Sequence, residues 1–519
     1  MILLNRLPQL MMRNQLSMLL IGAAVLIASW IIYSQHGWVT SDSILYFEMA
    51  RLITDGQWQA ATTMFKWPFY PSLIALVHMA TGLSIQTSAQ CLSIVFFTTS
   101  LWALIKIVTQ LGGNQRAQIL AALMVFGSTY IVGDIMPMST RDQGYWAFML
   151  LALWQLIVFY KHGAIKNALA WQVLVLVATL FRIEGAVYIL ALPLALLLLP
   201  KPRDNVNTIQ LLFRAYVFFI LLGILGLLAV VMSNSINLDA LGRLKELLTG
   251  FSDIEQNIKQ NLINRVDIMR DQVIGEPFKE FAWFTFLLSL FSISVIKCFF
   301  VAGWSPAILA LSHTHQSRDL LDKDTFKLLS FFALITWVVA CLIILKVNIL
   351  SGRYVVLFGF VLIAVASVIA EAHLQRWKHA TFSIKAILVG CAIMILLGFI
   401  SNVLPKRDGY HYEINAVEYV QQSLADSKQQ SVLYTSEKQR FYAQKPYEDR
   451  NYDEWQYLVE RIEDGRVNEY EFVVINLNIK ADSAAKETYL QTHLTQFKQD
   501  KVFYGHKKKK RTFVYRRIH

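Results

Sequence analysis

Eleven stretches of this chain read as membrane segments. Crossing about 30 Å of hydrocarbon takes around 20 helical residues. Apolar runs near that length occupy 15–33, 86–110, 117–135, 143–160, 167–182, 184–199, 210–232, 281–311, 326–346, 352–371 and 382–404. The fifth and sixth are short. The eighth is long and carries Lys297, which leaves open whether it is one helix or two. The first run is too long for a removable signal peptide and lacks a small-residue cleavage site, so it reads as a retained helix. Composition agrees: 55% of residues are hydrophobic and 16% charged, with a mean hydropathy of +0.43. Soluble domains carry roughly 25% charged residues. An ordinary soluble enzyme, a disordered chain and a coiled coil are thereby excluded. The expected fold is a polytopic α-helical membrane protein of about 11 spans.

The net charge of +12 fits Lys/Arg-rich cytoplasmic loops facing anionic lipid. No nucleic-acid-binding motif accompanies it, so membrane lipids are expected partners and nucleic acid is not. Cys91, Cys298, Cys341 and Cys391 all lie within apolar runs, which argues against a disulfide framework and against a cysteine-ligated zinc.

With the N-terminus in the cytoplasm, thirteen Lys/Arg from Arg6 to Lys378 fall in inner loops. Only Arg141, Arg182, Lys346 and Arg353 fall in short outer ones. This asymmetry sets the expected orientation. It places three polar regions outside: 34–85, 233–280 and 405–519. The tail holds 20 Lys/Arg and 17 Asp/Glu. A helical pattern at 413–424 and strand-like runs at 431–434, 472–475 and 512–515 make it a small α/β or α+β domain. The expected organisation is a membrane domain, 1–404, carrying outer loops 34–85 and 233–280, followed by an extracytoplasmic domain, 405–519.

In the first outer loop, Leu45, Met49, Leu52 and Ile53 recur at helical spacing, suggesting a short helix on the outer membrane face. Asp42 stands at its start. One reading makes Asp42 an N-cap; another makes it a carboxylate fixed at the surface as base or metal ligand. Next comes Phe65-Lys66-Trp67-Pro68-Phe69-Tyr70-Pro71, opening a second short apolar helix, surface-bound or re-entrant. The second outer loop runs from Gly133 into Met138-Ser-Thr-Arg141-Asp142-Gln143, and a span follows at once. The dipole at a helix start favours a carboxylate, so Asp142 reads either as a cap or as a functional partner of Asp42.

In order and topology these motifs resemble the polytopic GT-C glycosyltransferases, specifically the aminoarabinose-transferase and protein O-mannosyltransferase-like branch. The features are an Asp after the first span ahead of a helix containing Tyr46 and Glu48, the aromatic segment Pro68-Phe69-Tyr70-Pro71, Asp142 at the fourth span, and Ser351-Gly-Arg353-Tyr354 opening a later span. The resemblance covers about residues 15–200 and 345–410. It implies a sugar donor on a polyprenyl phosphate and an acidic residue, here Asp42, that activates the acceptor hydroxyl. It also implies cationic groups that meet the leaving phosphate. Arg353, beside Tyr354, is the first candidate for that role. Lys66 and Arg182 are further candidates, although Arg182 could equally form an ion pair with Glu184. Asp42 and Asp142 would be the catalytic pair, and Tyr46, Glu48 and Tyr70 would line the substrate cavity. The branch's Glu before Lys-Pro is replaced by Phe65, so its zinc site is not carried over. A divalent ion such as Mg²⁺ or Mn²⁺ shared by Asp42 and Asp142 remains open.

The expected activity moves a sugar to a glycolipid, polysaccharide or protein acceptor at the outer face of a bacterial inner membrane, with the tail domain periplasmic or extracellular. One rival is a flippase or transporter of lipid-linked sugars, which would show repeat symmetry and charged midplane helices; no repeat is present. Another is an O-antigen polymerase or ligase acting through loop 233–280, where Arg243, Arg265 and Arg270 lie.

Overall fold

The computed structural model describes residues 2–35, 38–200, 207–233, 259–312, 320–347, 349–405, 411–425, 431–448, 453–477, 483–505 and 508–518. The chain divides into two compact units. The first comprises 1–29, 66–70 and 89–403; the second comprises 30–65, 71–88 and 404–519. Most of the expected outer loop 233–280, including Arg243, lies outside the described residues.

All eleven apolar runs are helical. Among the described residues eight helices have the length and apolarity to cross a membrane, and a bent pair makes a ninth. The remaining runs form the shorter helices Ile165–Phe181 and Gly185–Leu198 and a piece beyond Gly303. The long run at 281–311 is two helices, Ala282–Ala302 and Trp304–Leu311. The break falls not at Lys297, which is inside the first helix, but at Gly303, whose φ of +88° suits glycine.

The third run is the bent one. Helix Gln115–Phe126 begins under the side-chain cap of Asn114, which accepts from Ala117 N at 3.0 Å. It ends at Gly127, and the chain turns by 47° into Thr129–Met138. A break of this kind frees backbone carbonyls that hydrocarbon cannot satisfy. Asn402, buried on helix Phe382–Val403, donates its amide to Phe126 O at 2.9 Å and Ser128 O at 3.1 Å. Helix Val356–Gln375 is the most enclosed of the spans and packs against Gln115–Phe126, Ala282–Ala302, Trp304–Leu311 and Lys323–Val347.

In the second unit a four-stranded sheet has the order β1-β2-β4-β3: β1 Val432–Tyr434, β2 Phe472–Asn476, β3 Phe497–Tyr504 and β4 Arg511–Arg517. β1 and β2 are parallel and the other pairs antiparallel. Alternation along β2 feeds two cores. Val473 and Ile475 join Leu458, Leu490 and Phe513 on one face; Phe472 and Val474 join Ala416, Val417 and Val420 on the other. Helix Ser41–Thr54 belongs to this unit too. Instead of presenting its apolar face to lipid, it buries it against helix Trp58–Met64 and Phe65; on its other side the Phe47 ring centroid lies 6.0 Å from that of Phe441. Its cap is Thr40, which accepts from Ser43 N at 3.2 Å. Asp42 sits one turn-position further in and is not the cap.

Candidate active site

In the first unit, helix Arg141–His162 starts where the bent segment ends. Gln143 holds that junction, donating to Ile135 O at 2.8 Å and Met136 O at 2.7 Å. The neighbouring side chain, Asp142, is 1% exposed. Thr140 occupies the cap position without a side-chain cap bond, so Asp142 is not a cap either. Its carboxylate serves two arginines. Arg182 Nη1 donates to Oδ1, and Arg353 Nη1 lies 3.4 Å from Oδ2.

Arg182 reaches Asp142 because of how two helices pack. Phe181 ends helix Ile165–Phe181 among the rings of Phe69, Tyr70, Phe96 and Phe148, at centroid distances of 5.0, 6.3, 5.3 and 5.7 Å. It also lies over Gly144, where a Cβ would come within 2.3 Å of the ring. Only glycine at 144 lets the helices approach this closely, and the approach sets Arg182 beside Asp142. From there Arg182 turns its remaining donors on Glu184, with Nη2 at 2.8 Å from Oε1 and Nε at 3.3 Å from Oε2. The Tyr354 ring lies under the guanidinium, 4.2 Å from centroid to Cζ, a cation–π distance. Arg182 is thus held on three sides and is 4% exposed.

Arg353 is different. It stands in the short turn Gly352–Val355 at the head of helix Val356–Gln375, and a quarter of its side chain is open. Gly352 is required there, because a Cβ would fall 2.5 Å from the Tyr130 ring and hydroxyl. The contact with Asp142 anchors the guanidinium to a buried carboxylate and leaves part of the side chain at the surface. A planar fork fixed in this way suits a phosphate. Pairing Asp142 with two arginines also keeps this charge from being buried alone, which would cost several kcal/mol, on the order of 3–5.

Of the residues singled out in the sequence, this constellation brings together Asp142, Arg182, Arg353 and Tyr354. The alternative pairing of Arg182 with Glu184 is present alongside the pairing with Asp142. Tyr70 is buried beside Phe181 one step away, and Lys66 is exposed. Asp42, Tyr46 and Glu48 belong to the second unit. There Asp42 is half-buried, and Tyr46 lies 6.4 Å from Phe65, ring to ring. Glu48 pairs with Arg51 at 2.6 Å. Gly144, Phe181, Tyr130 and Gly352 were not legible as site residues.

The donor set at Asp142 does not suit a divalent cation, since guanidinium groups occupy both oxygens. Among the described residues no group of three or more His, Cys, Asp or Glu side chains could hold a metal ion.

No protein-family model and no curated protein matches the sequence. Three solved structures align along nearly the whole chain. ArnT from Cupriavidus metallidurans in the apo state aligns at 12% identity over 96% of this chain and 97% of its own, with a TM-score of 0.48. The same protein bound to undecaprenyl phosphate aligns at 13% identity, again over 96% and 97%, with a TM-score of 0.39. The oligosaccharyltransferase of Archaeoglobus fulgidus in its apo form aligns at 11% identity over 97% of this chain and 74% of its own, with a TM-score of 0.45.

Proposed function

We propose that this membrane protein is a GT-C-type glycosyltransferase that moves one sugar from a polyprenyl-phosphate carrier to a glycolipid, polysaccharide or protein acceptor. The observation that carries this reading is the arrangement at Asp142. One arginine, Arg182, is locked among Asp142, Glu184 and Tyr354; the other, Arg353, is tethered to the same carboxylate and partly open.

In this reading Arg353 grips the donor phosphate, with Arg182 adding positive potential behind it. As the bond between the anomeric carbon and the phosphate oxygen breaks, the electron pair leaves with the polyprenyl phosphate. Arg353 then meets the charge that develops there, an interaction stronger in the transition state than in the ground state. The acceptor hydroxyl oxygen bonds to the anomeric carbon, and its proton passes to a carboxylate. Asp42 keeps the role of base that the resemblance implies. Asp142 acts as a positioning residue: it holds Arg353 and Arg182 and needs no metal for that.

The Lys/Arg asymmetry of the short loops supports an N-terminus in the cytoplasm and the sheet-bearing unit outside, at a bacterial inner membrane. A lipid-linked donor fits that side, where nucleotide sugars are absent.

The experiment is complementation of a strain lacking the protein, with surface glycolipids, polysaccharide and glycoproteins profiled by mass spectrometry. Wild type should restore one missing sugar. Arg353→Ala and Asp42→Asn, expressed at normal levels, should not. Full restoration by both variants would remove the transferase reading and favour a transport role.

A further inference from the structure

Within the second unit a cavity of about 360 Å³ opens beside β2, at the lower end of the roughly 300–1,000 Å³ typical of small-ligand sites. Its floor is Glu413, the second residue of helix Tyr412–Ala425, only 4% exposed. Glu413 Oε2 accepts from Ser436 Oγ at 3.2 Å and from Asn476 Nδ2 at 3.1 Å. Asn476 is fixed in that orientation because its Oδ1 accepts from Gln439 at 2.9 Å and Thr512 at 2.6 Å. Lys438 Nζ stands 3.8 Å from Glu413 Oε1. Glu454, at the start of its own helix, and Trp455 after it also line the cavity. The Trp455 indole is held at 5.5 Å by the edge of Tyr489 and approached at 5.3 Å by Lys486. Ser41, the residue before Asp42, lines the same cavity.

We propose that this cavity binds a hydroxyl-rich saccharide, the sugar portion of the acceptor, next to the segment that carries Asp42. The inference rests on the transferase reading for its biological role but not for its chemistry. A carboxylate pair, a fixed amide and two ammonium groups offer acceptors and donors side by side, which is what vicinal hydroxyls, each donor and acceptor, require. The half-buried indole supplies a flat apolar face; its negative π cloud attracts the weakly positive C–H edge of a sugar ring. Two facing carboxylates are costly to bury without a use. Burial and the Glu413 charge push Glu454 up to about 7, so near neutral pH it can serve a hydroxyl either as donor or as acceptor. An anion is disfavoured by the glutamate floor. A metal ion is disfavoured because Ser436, Asn476 and Lys438 already serve Glu413.

The test uses the full chain in detergent micelles and saturation-transfer NMR. The probes are the methyl glycosides of glucose, galactose, mannose and N-acetylglucosamine, and the 1,4-linked disaccharides of each. At least one should bind wild type. Its affinity should fall about tenfold or more in Lys486→Ala, in Trp455→Ala, whose melting temperature is checked because the indole packs on the core of the sheet, and in Glu413→Gln if that variant folds. Asp142→Asn should bind the sugar as wild type does, which separates this site from the donor site. Binding together with a fully active Arg353→Ala would retain the cavity and discard the transferase mechanism. Failure of every probe to bind, or equal binding by wild type, Trp455→Ala and Lys486→Ala, overturns the inference. So does competition by inorganic phosphate at similar concentration.

Discussion

Arg353 and Asp142 stand 211 positions apart in sequence, yet the arginine's Nη1 lies 3.4 Å from the one carboxylate oxygen that Arg182 leaves available. A single buried acid therefore organises two cations of unequal freedom. The one at the head of a membrane helix is the more exposed of the two.

Replacing Arg353 by alanine is expected to lower turnover about 10²–10³-fold, the cost typical of losing one group that stabilises developing charge. Stability should change by about 1 kcal/mol or less, because the lost pair is partly exposed and Asp142 keeps Arg182. Arg353→Lys should recover only part of the rate, since an ammonium gives charge without a planar fork. Initial rates with a radiolabelled polyprenyl-phosphate sugar, beside thermal denaturation in detergent, check this. Equal rates for wild type and alanine variant would remove Arg353 from the phosphate site.

Arg182→Met should behave in the opposite way. It strips a partner from two carboxylates, Asp142 at 2% side-chain exposure and Glu184 at 22%, and breaking such a buried network costs about 3–5 kcal/mol. Low expression and a large fall in melting temperature are expected. Adding Asp142→Asn to Arg182→Met should restore part of the loss. A singly substituted protein as stable as wild type would mean that the ion network does not support the fold.

These two arginines also mark what the sequence could and could not reveal. Hydropathy placed the eight long apolar helices found among the described residues, because twenty-residue runs have few alternatives in a membrane. Asp142, Arg182, Arg353 and Tyr354 stood out because charges and a tyrosine at the edges of apolar runs are rare. That they meet depends on Gly144 lying under Phe181 and Gly352 lying under Tyr130, and a close approach between distant segments leaves no local periodicity. The bend at Gly127 was hidden for the same reason: its compensating amide is 276 residues away, on Asn402. In the second unit β3 was missed because its middle is exposed and polar, as in Lys498, Gln499 and Asp500. Edge strands are often charged in this way. Helix Ser41–Thr54 was recognised by its spacing, but an apolar face does not say whether lipid or protein covers it. Here Ala61, Met64 and Phe65 do.

Asn402→Leu tests the bent segment. The substitution keeps the branched outline of the side chain but leaves the carbonyls of Phe126 and Ser128 without their donor, each a buried acceptor worth about 1–3 kcal/mol when unpaired. A loss of about 2 kcal/mol or more is expected in denaturation experiments. Activity should fall further than stability alone explains, because the segment leads directly into Asp142. If Asn402→Leu matches wild type in both measurements, the amide is not what sustains the bend.

The cavity of the second unit yields a pH prediction whose sign is fixed. Glu454 is raised from 4.5 to about 7, first by burial and then by Glu413, with Lys438 and Ser436 opposing and Asp453 reinforcing. The folded protein therefore holds a proton between about pH 4.5 and pH 7 that the unfolded chain releases. That contribution is fully present below pH 4.5 and is lost as pH rises through about 7; it amounts to on the order of 2 kcal/mol. Melting temperature should accordingly fall between pH 5 and pH 7.5 in wild type, and Glu454→Gln, neutral throughout, should flatten that slope. Lys486, which lines the same cavity, should leave the slope intact when changed to alanine. An identical pH profile for wild type and Glu454→Gln would show that the proton is not held at this site.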